Sequence, residues 1–282
     1  MKQLIKKILP EKVLHAAIDM RDRRRLSAVP ACPFDATKLR EASAFPSPLP
    51  FFSDPATGDL WKVVHDEICG VFADDHIMGG INPGDRRALF YLIRALKSRK
   101  VLEIGTHIGA STLYIARALK YTADDATVTT VDILDVNAPN GPWKQLGLPM
   151  TPADCADRLG CLEHIVFKAS PSLTFMAGTD QKFDLIFLDG DHSANAVYRE
   201  VSAALQLLDE GGVILLHDYY PGARPLFPDG NIISGPYRAL ERIIRENPSI
   251  EVRPLGALPW ETKLGSHMTS LALVTRRINK KK

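Results

Sequence analysis

Five short runs of mostly apolar, β-branched residues recur along the chain with helix-length amphipathic stretches between them, and this alternation limits the fold more than any other feature. The runs are Lys100 to Ile104, Thr127 to Asp132, Ile165 to Lys168, Asp184 to Leu188 and Val213 to Leu216. Strands that are apolar on both faces belong to a parallel sheet covered by helices on either side. The spacing predicts those helices over about 84–98, 110–120, 152–159 and 193–208. After a further helix over about 236–246, Ile250 to Pro254 and Thr269 to Thr275 leave no room for a crossover helix between them, so they pair antiparallel. The expected fold is α/β: a doubly wound, mostly parallel seven-stranded sheet with an antiparallel last strand, preceded by an N-terminal helical and extended segment.

The expected division places an extension at residues 1–76 and the sheet-forming domain at 77–282. Residues 1–25 set Leu4, Ile5, Ile8, Leu9, Val13, Leu14, Ala17 and Ile18 at near-helical spacing among Lys2, Lys6, Lys7 and Lys12, with Arg21, Arg23, Arg24 and Arg25 after them. A basic amphipathic helix interrupted near Pro10 is predicted; it either packs on its own domain or a sister subunit, or rests on an anionic bilayer. From Pro30 to Pro55 the chain is rich in Pro, Ala and Ser and reads as an extended linker, followed by a helix. No apolar run reaches the roughly 18 residues that a membrane-spanning helix needs. Thirty-five basic against thirty-three acidic residues leave no broad electropositive face, so nucleic acid is not an expected partner. Cys32, Cys69, Cys155 and Cys161 follow no metal-binding spacing and suit a reducing cytoplasm. A homo-oligomer, such as a dimer, is the expected assembly.

The chemistry begins where the first strand ends. Glu103-Ile104-Gly105-Thr106-His107-Ile108-Gly109-Ala110-Ser111-Thr112 runs from strand to loop to helix. In an open α/β sheet ligands lie at the carboxyl ends of the strands, where glycines let the backbone come close and a helix presents free N–H groups. The GxxxG spacing of Gly105 and Gly109 differs from the GxGxxG that holds a dinucleotide pyrophosphate, which argues against a nicotinamide-dependent dehydrogenase. The second strand ends at Asp132, whose carboxylate either accepts from both ribose hydroxyls or caps the next turn.

With VLEIGTHIGAST, VTTVD, FDLIFLDGDH and GGVILLHD in this order, residues 77–220 resemble the class I methyltransferases, in particular the catechol O-methyltransferase-like and macrolide-sugar O-methyltransferase-like branches. The resemblance implies a Rossmann-like fold and S-adenosyl-L-methionine as cofactor. It implies that Glu103, Gly105 and Ser111 hold the amino-acid part of the cofactor, with Thr106 and Gly109 completing the loop. Asp132 would take the ribose and Ser170 the adenine. Asn82, opening Asn82-Pro83-Gly84-Asp85, looks like the start of the segment that covers the methionine end, and Asp189 would border the cofactor.

Asp189, Asp191 and His192 follow the fourth strand, and His217 and Asp218 end the fifth. Neighbouring strands bring these groups to one rim beside the glycine loop. Methyl transfer to oxygen requires an aligned acceptor that loses a proton, and an imidazole with a pKa of about 6.5 needs assistance against a sugar hydroxyl. A divalent cation, Mg2+ or Mn2+, supplies such assistance, and Asp189, Asp218 and His217 are suitable donors. His192 falls where the catechol-type enzymes carry a lysine base, so it is the expected proton acceptor, with Asp189 beside it and Asp191 as an orienting partner. The sequence departs from the catechol pattern at Tyr219, where that family has an asparagine ligand, and from the macrolide pattern at His217, where that family has an acid. The expected acceptor is a small molecule or glycan. A cofactor-binding protein of the same fold that runs another, hydroxylase-like reaction, or only binds, is the alternative. Residues 134–151, with Trp143, and 219–235, with Tyr220, Arg224 and Phe227, emerge at the ligand edge as a lid and an acceptor pocket.

Overall fold

The computed structural model describes residues 11–46, 50–72 and 80–277; the first ten residues of the basic N-terminal pattern lie outside them. Nine helices and seven strands are distinguished here among the described residues. Helix α1 spans Glu11–Ser27 and α2 Pro55–Phe72, and then α3 (Pro83–Leu96) leads into β1 (Lys100–Ile104). Next come α4 (Ala110–Lys120), β2 (Thr127–Asp132), the one-turn α5 (Pro142–Gln145), α6 (Pro152–Arg158), β3 (Ile165–Ala169), α7 (Ser172–Gly178) and β4 (Phe183–Leu188). The chain continues through α8 (Ala194–Leu207), β5 (Leu208–Leu216), α9 (Gly235–Glu246), β6 (Ile250–Pro254) and β7 (Ala272–Arg276).

All seven strands form one sheet in the order β3-β2-β1-β4-β5-β7-β6. The first five are parallel, whereas β7 runs antiparallel to both β5 and β6, as the missing crossover required. Because successive strand residues point to opposite faces, the apolar runs feed two cores. Val101, Leu185, Phe187, Val213 and Leu215 pack with residues of α2, α3 and α4. Leu102, Ile104, Ile186, Leu188, Ile214 and Leu216 pack on the other side with α8 and α9. Strand order reverses between β1 and β4, the position at whose carboxyl ends open α/β sheets hold their ligands.

Two expectations need correction. The Pro-rich stretch is extended, yet it is no free linker: Phe34, Leu39 and Phe45 are buried, Leu39 bridges Gly212 and Glu41 bridges Arg276. Large apolar side chains between the prolines are what tie it to the sheet. Strand β5 starts at Leu208, five residues ahead of the apolar run, with a register shift against β4 between Phe183 and Leu185; polar Asp209 and Glu210 hid that part. Helix α1 does pack on its own domain, through α8 and α9.

Candidate active site

The glycine loop is fixed by backbone geometry that only glycine tolerates. Gly105 has φ 101°, and a Cβ there would stand 2.3 Å from the carbonyl oxygen of Asp189. The loop therefore presses directly on the residue that follows β4. Gly109 has φ 79° as the residue before α4, and a Cβ there would approach Pro152 to 3.0 Å. Asp132 ties the loop to the next turn: one carboxylate oxygen accepts from the His107 N–H at 2.9 Å, the other from the Leu134 N–H at 3.0 Å. Ser170 lies across the edge, its N–H on the Asp132 carbonyl at 2.7 Å.

Glu103 and Ser111 are placed beneath the loop rather than on its surface. Glu103 is fully buried, and its carboxylate accepts from Ser111 and Thr112 at 2.5 Å and from Thr130 at 2.6 Å. The Thr106 hydroxyl contacts that of Thr130 at 2.6 Å, extending the network to the loop itself. Burial pushes the Glu103 carboxyl up to about 7, against the lowering effect of the three hydroxyls. Its folded pKa is thus above the ordinary 4.5, so the stability it contributes is complete below that value and is lost as pH rises through about 7. The ionised form costs on the order of 3 kcal/mol at alkaline pH. Glu103→Gln cannot ionise, and its melting temperature relative to the parent should climb steadily between about pH 5 and 8. Parallel melting curves at all pH values would refute this.

The rim at the ends of β4 and β5 gathers five groups. His217 Nδ1 lies 3.0 Å from Asp189 and 3.5 Å from Asp218, while its Nε2 lies 3.1 Å from Asp85. Burial alone would lower the His217 pKa, but Asp189 and Asp218 override it and hold the imidazolium well above its ordinary range. Burial likewise opposes ionisation of Asp218, yet His217, His192 and Lys263 bring its pKa below the usual value. Asp218 sits at φ 55°, a left-handed conformation that aspartate accepts more easily than most residues and that turns its carboxylate toward both histidines. His192 is more exposed, with Nδ1 3.5 Å from Asp218. Ligand atoms of Asp189, His192 and Asp218 all lie within 4.8 Å of one another, so the rim can surround a cation. Asp191 accepts from the Ser193 N–H at 2.8 Å and serves the turn into α8.

The profile of a family described as a methyltransferase domain matches residues 102–219. Catechol O-methyltransferase of Mycobacterium tuberculosis is 27% identical over 176 residues, covering 61% of this chain and 73% of its own. The matched segments span 66%, 73% and 60% of the first three such relatives. An O-methyltransferase of Bacillus cereus solved in complex with SAH superposes with TM-score 0.51 at 20% identity, over 79% of this chain and 92% of that one. The O-methyltransferase TomG of Streptomyces achromogenes, solved with SAM, gives 0.52 at 18% identity over 80% and 91%. Over residues 102–219 the chain is similar to a methyltransferase domain, and its sequence relatives are O-methyltransferases. The two solved structures share its fold.

Several rim groups are held from positions that the sequence did not single out. Asp85, in the first turn of α3, is fully buried; it accepts from the Asn82 amide at 2.7 Å as well as facing His217. Asn82 in turn caps α3 by accepting from the Asp85 N–H at 2.9 Å. Gly235 packs so tightly that a Cβ would stand 2.0 Å from the His192 carbonyl, fixing the turn that carries that histidine. Lys263, in the hairpin between β6 and β7, pairs with Asp229 at 2.7 Å and lies 5.1 Å over the Phe227 ring, anchoring the loop after β5. Tyr220 meets Phe227 edge-on at 6.2 Å inside that loop, and Arg224 is exposed. Trp143 donates to the Ala138 carbonyl within its own loop at 3.0 Å. Contacts across 132 residues, as between Asp85 and His217, leave no local pattern to find.

Proposed function

We propose that the methyltransferase methylates a hydroxyl oxygen of a small molecule or sugar, with His192 as proton acceptor and a divalent cation assisting. The observation that carries this reading is the convergence of His192, Asp218, His217 and Asp189 at the carboxyl ends of β4 and β5, with Asp189 in backbone contact with Gly105. S-adenosylmethionine supplies an activated methyl group together with its own leaving group. What remains for the protein is alignment, which is worth about 7–11 kcal/mol in well-oriented systems, and removal of the acceptor proton.

In this proposal the backbone of Gly105, Thr106 and Gly109 and the carboxylate of Asp132 border the nucleoside, with Ser170 at the adenine end. Glu103 and Ser111 support the loop from below, and Asn82 fixes the start of the segment over the methionine end. Asp218 orients His192 through Nδ1, leaving its other nitrogen for the acceptor. The exposed apolar side chains of Ile133 and Leu134 lie directly after Asp132.

The donor set suits a hard divalent cation: two carboxylates and an imidazole whose far nitrogen is held by another carboxylate, the arrangement that usually orients a metal-binding histidine. Asp189 and Asp218 would hold the ion with His217 Nδ1, and it would supply positive charge beside the acceptor oxygen. A second reading has its own support, since a protonated His217 held between the two aspartates offsets part of the rim's negative charge without a metal.

Methyl transfer from labelled donor to a panel of catechols, flavonoids and sugars, with and without chelator, separates these readings. Loss of activity in chelator and its return with magnesium or manganese supports the assisted mechanism; full activity in chelator assigns the charge to His217. Asp132→Ala should abolish stabilisation by S-adenosylhomocysteine, seen as a lost shift in melting temperature. Transfer to no hydroxyl, with the cofactor still bound, would favour the hydroxylase-like or non-catalytic alternative. Names among the relatives, catechol O-methyltransferase and an enzyme of tomaymycin synthesis, agree with a hydroxyl acceptor.

A further inference from the structure

The first 25 residues hold eight basic and three acidic residues, whereas the other 257 hold 27 and 30. The positive excess of a chain of nearly balanced charge thus lies at its two ends, since five of the last seven residues are basic as well, and α1 shows how the N-terminal segment is presented. One side of α1 is docked. Asp22 and Leu26 are buried, Asp19 pairs with Arg238 of α9 at 2.7 and 3.1 Å, and Arg242 donates to the Leu26 carbonyl at 2.5 Å. The opposite side carries exposed Ala17, Met20 and Arg24, flanked by Arg21, Arg23 and Arg25, all exposed. Met20 is 71% exposed, the second most exposed large apolar side chain among those described. Arg23 pairs with Asp19 and Arg21 with Asp22, so local acids partly neutralise two of these arginines, while Arg24 and Arg25 have no carboxylate partner among the described residues.

An exposed methionine among arginines suits a helix resting on a bilayer interface, with the arginine stems along apolar surface and their heads at phosphate level. The sequence ahead of α1 repeats the combination, with Leu4, Ile5, Ile8 and Leu9 among Lys2, Lys6 and Lys7. We infer that the outer face of α1 docks the methyltransferase on an anionic lipid surface. The position of α1 gives this docking a use. Asp19 and Leu26 follow α9 from Arg238 to Arg242, so α1 approaches the first turn of α9, and Gly235 at that end touches the His192 turn. A docked α1 sets the acceptor rim near the membrane, where acceptors with an apolar tail concentrate.

The test is flotation of the full-length protein with phosphatidylcholine vesicles, with or without phosphatidylglycerol, at low and high salt. Docking on lipid predicts association with the phosphatidylglycerol vesicles alone and its loss at high salt. Arg24→Gln/Arg25→Gln should weaken vesicle binding on the order of thirtyfold, with melting temperature and S-adenosylhomocysteine binding unchanged. Met20→Ser should weaken it further. The inference is overturned if folded protein ignores anionic vesicles at low salt, if the double variant binds them as the parent does, or if duplex DNA at equal phosphate strips the protein from them. None of these readouts depends on the acceptor or on the metal.

Discussion

His192→Ala is expected to lower kcat by about 10²–10⁴ while leaving the affinity for S-adenosylhomocysteine unchanged. The side chain is the most exposed of the rim groups, and the proposed nucleoside wall is built from other residues: the Gly105 loop and Asp132. On that proposal, removing the imidazole removes the proton acceptor without disturbing the wall assigned to the cofactor. Added imidazole should restore part of the rate, because a small base can enter the space left at the rim. If excess magnesium alone restores activity and imidazole does not, His192 is a cation ligand, as its place within 4.8 Å of the aspartates permits. A variant with parental kcat would remove His192 from the mechanism altogether.

The parts of this molecule that could be read from the sequence are those governed by local periodicity. The strand runs around β1, β2 and β4 have apolar residues on both faces, and the helices between them have one apolar stripe, so type, order and parallel direction followed from residue spacing. The antiparallel pairing of β6 with β7 followed in turn from a connection too short for a helix; the place of β7 between β5 and β6 did not. Glycine at 105 and 109 was legible for a different reason: positive φ and close backbone approach leave glycine as the fitting residue, so the sequence records the geometry directly. The seven-residue helix α7 was missed because two turns carry too little periodicity to stand out. The rim was only half legible. His192, His217, Asp189 and Asp218 could be placed together because strand ends converge, but the pairing of their atoms could not, since that depends on a side chain arriving from α3. Asp85 is the clearest instance: in sequence it is an ordinary first-turn acid of a capped helix.

That residue also carries the second large effect. Asp85 is completely buried, with one oxygen near His217 Nε2 and the Asn82 amide and the other without a hydrogen-bond partner among the described residues. Breaking a buried ion pair by removing one partner costs about 3–5 kcal/mol, because the remaining charge stays out of water. For Asp85→Ala the surviving aspartates still face His217 Nδ1, so the lower end of that range is expected, about 3 kcal/mol. At this chain length it corresponds to a melting temperature lowered by roughly 6–12 °C. Asp85→Asn separates folding from function, since its amide oxygen can still accept from His217 Nε2 while the negative charge is gone. Because it keeps that hydrogen bond, it should melt above Asp85→Ala though below the parent. Yet it should lose about 10–100-fold in activity or in metal affinity, the usual cost of altering the group behind a metal-binding histidine. Asn82 keeps its own bond to the backbone of residue 85, so a loss in this variant cannot be assigned to the helix cap. An Asp85→Asn protein that titrates metal and turns over like the parent would show that Asp85 serves only the start of α3, and that Asp189 and Asp218 alone fix His217.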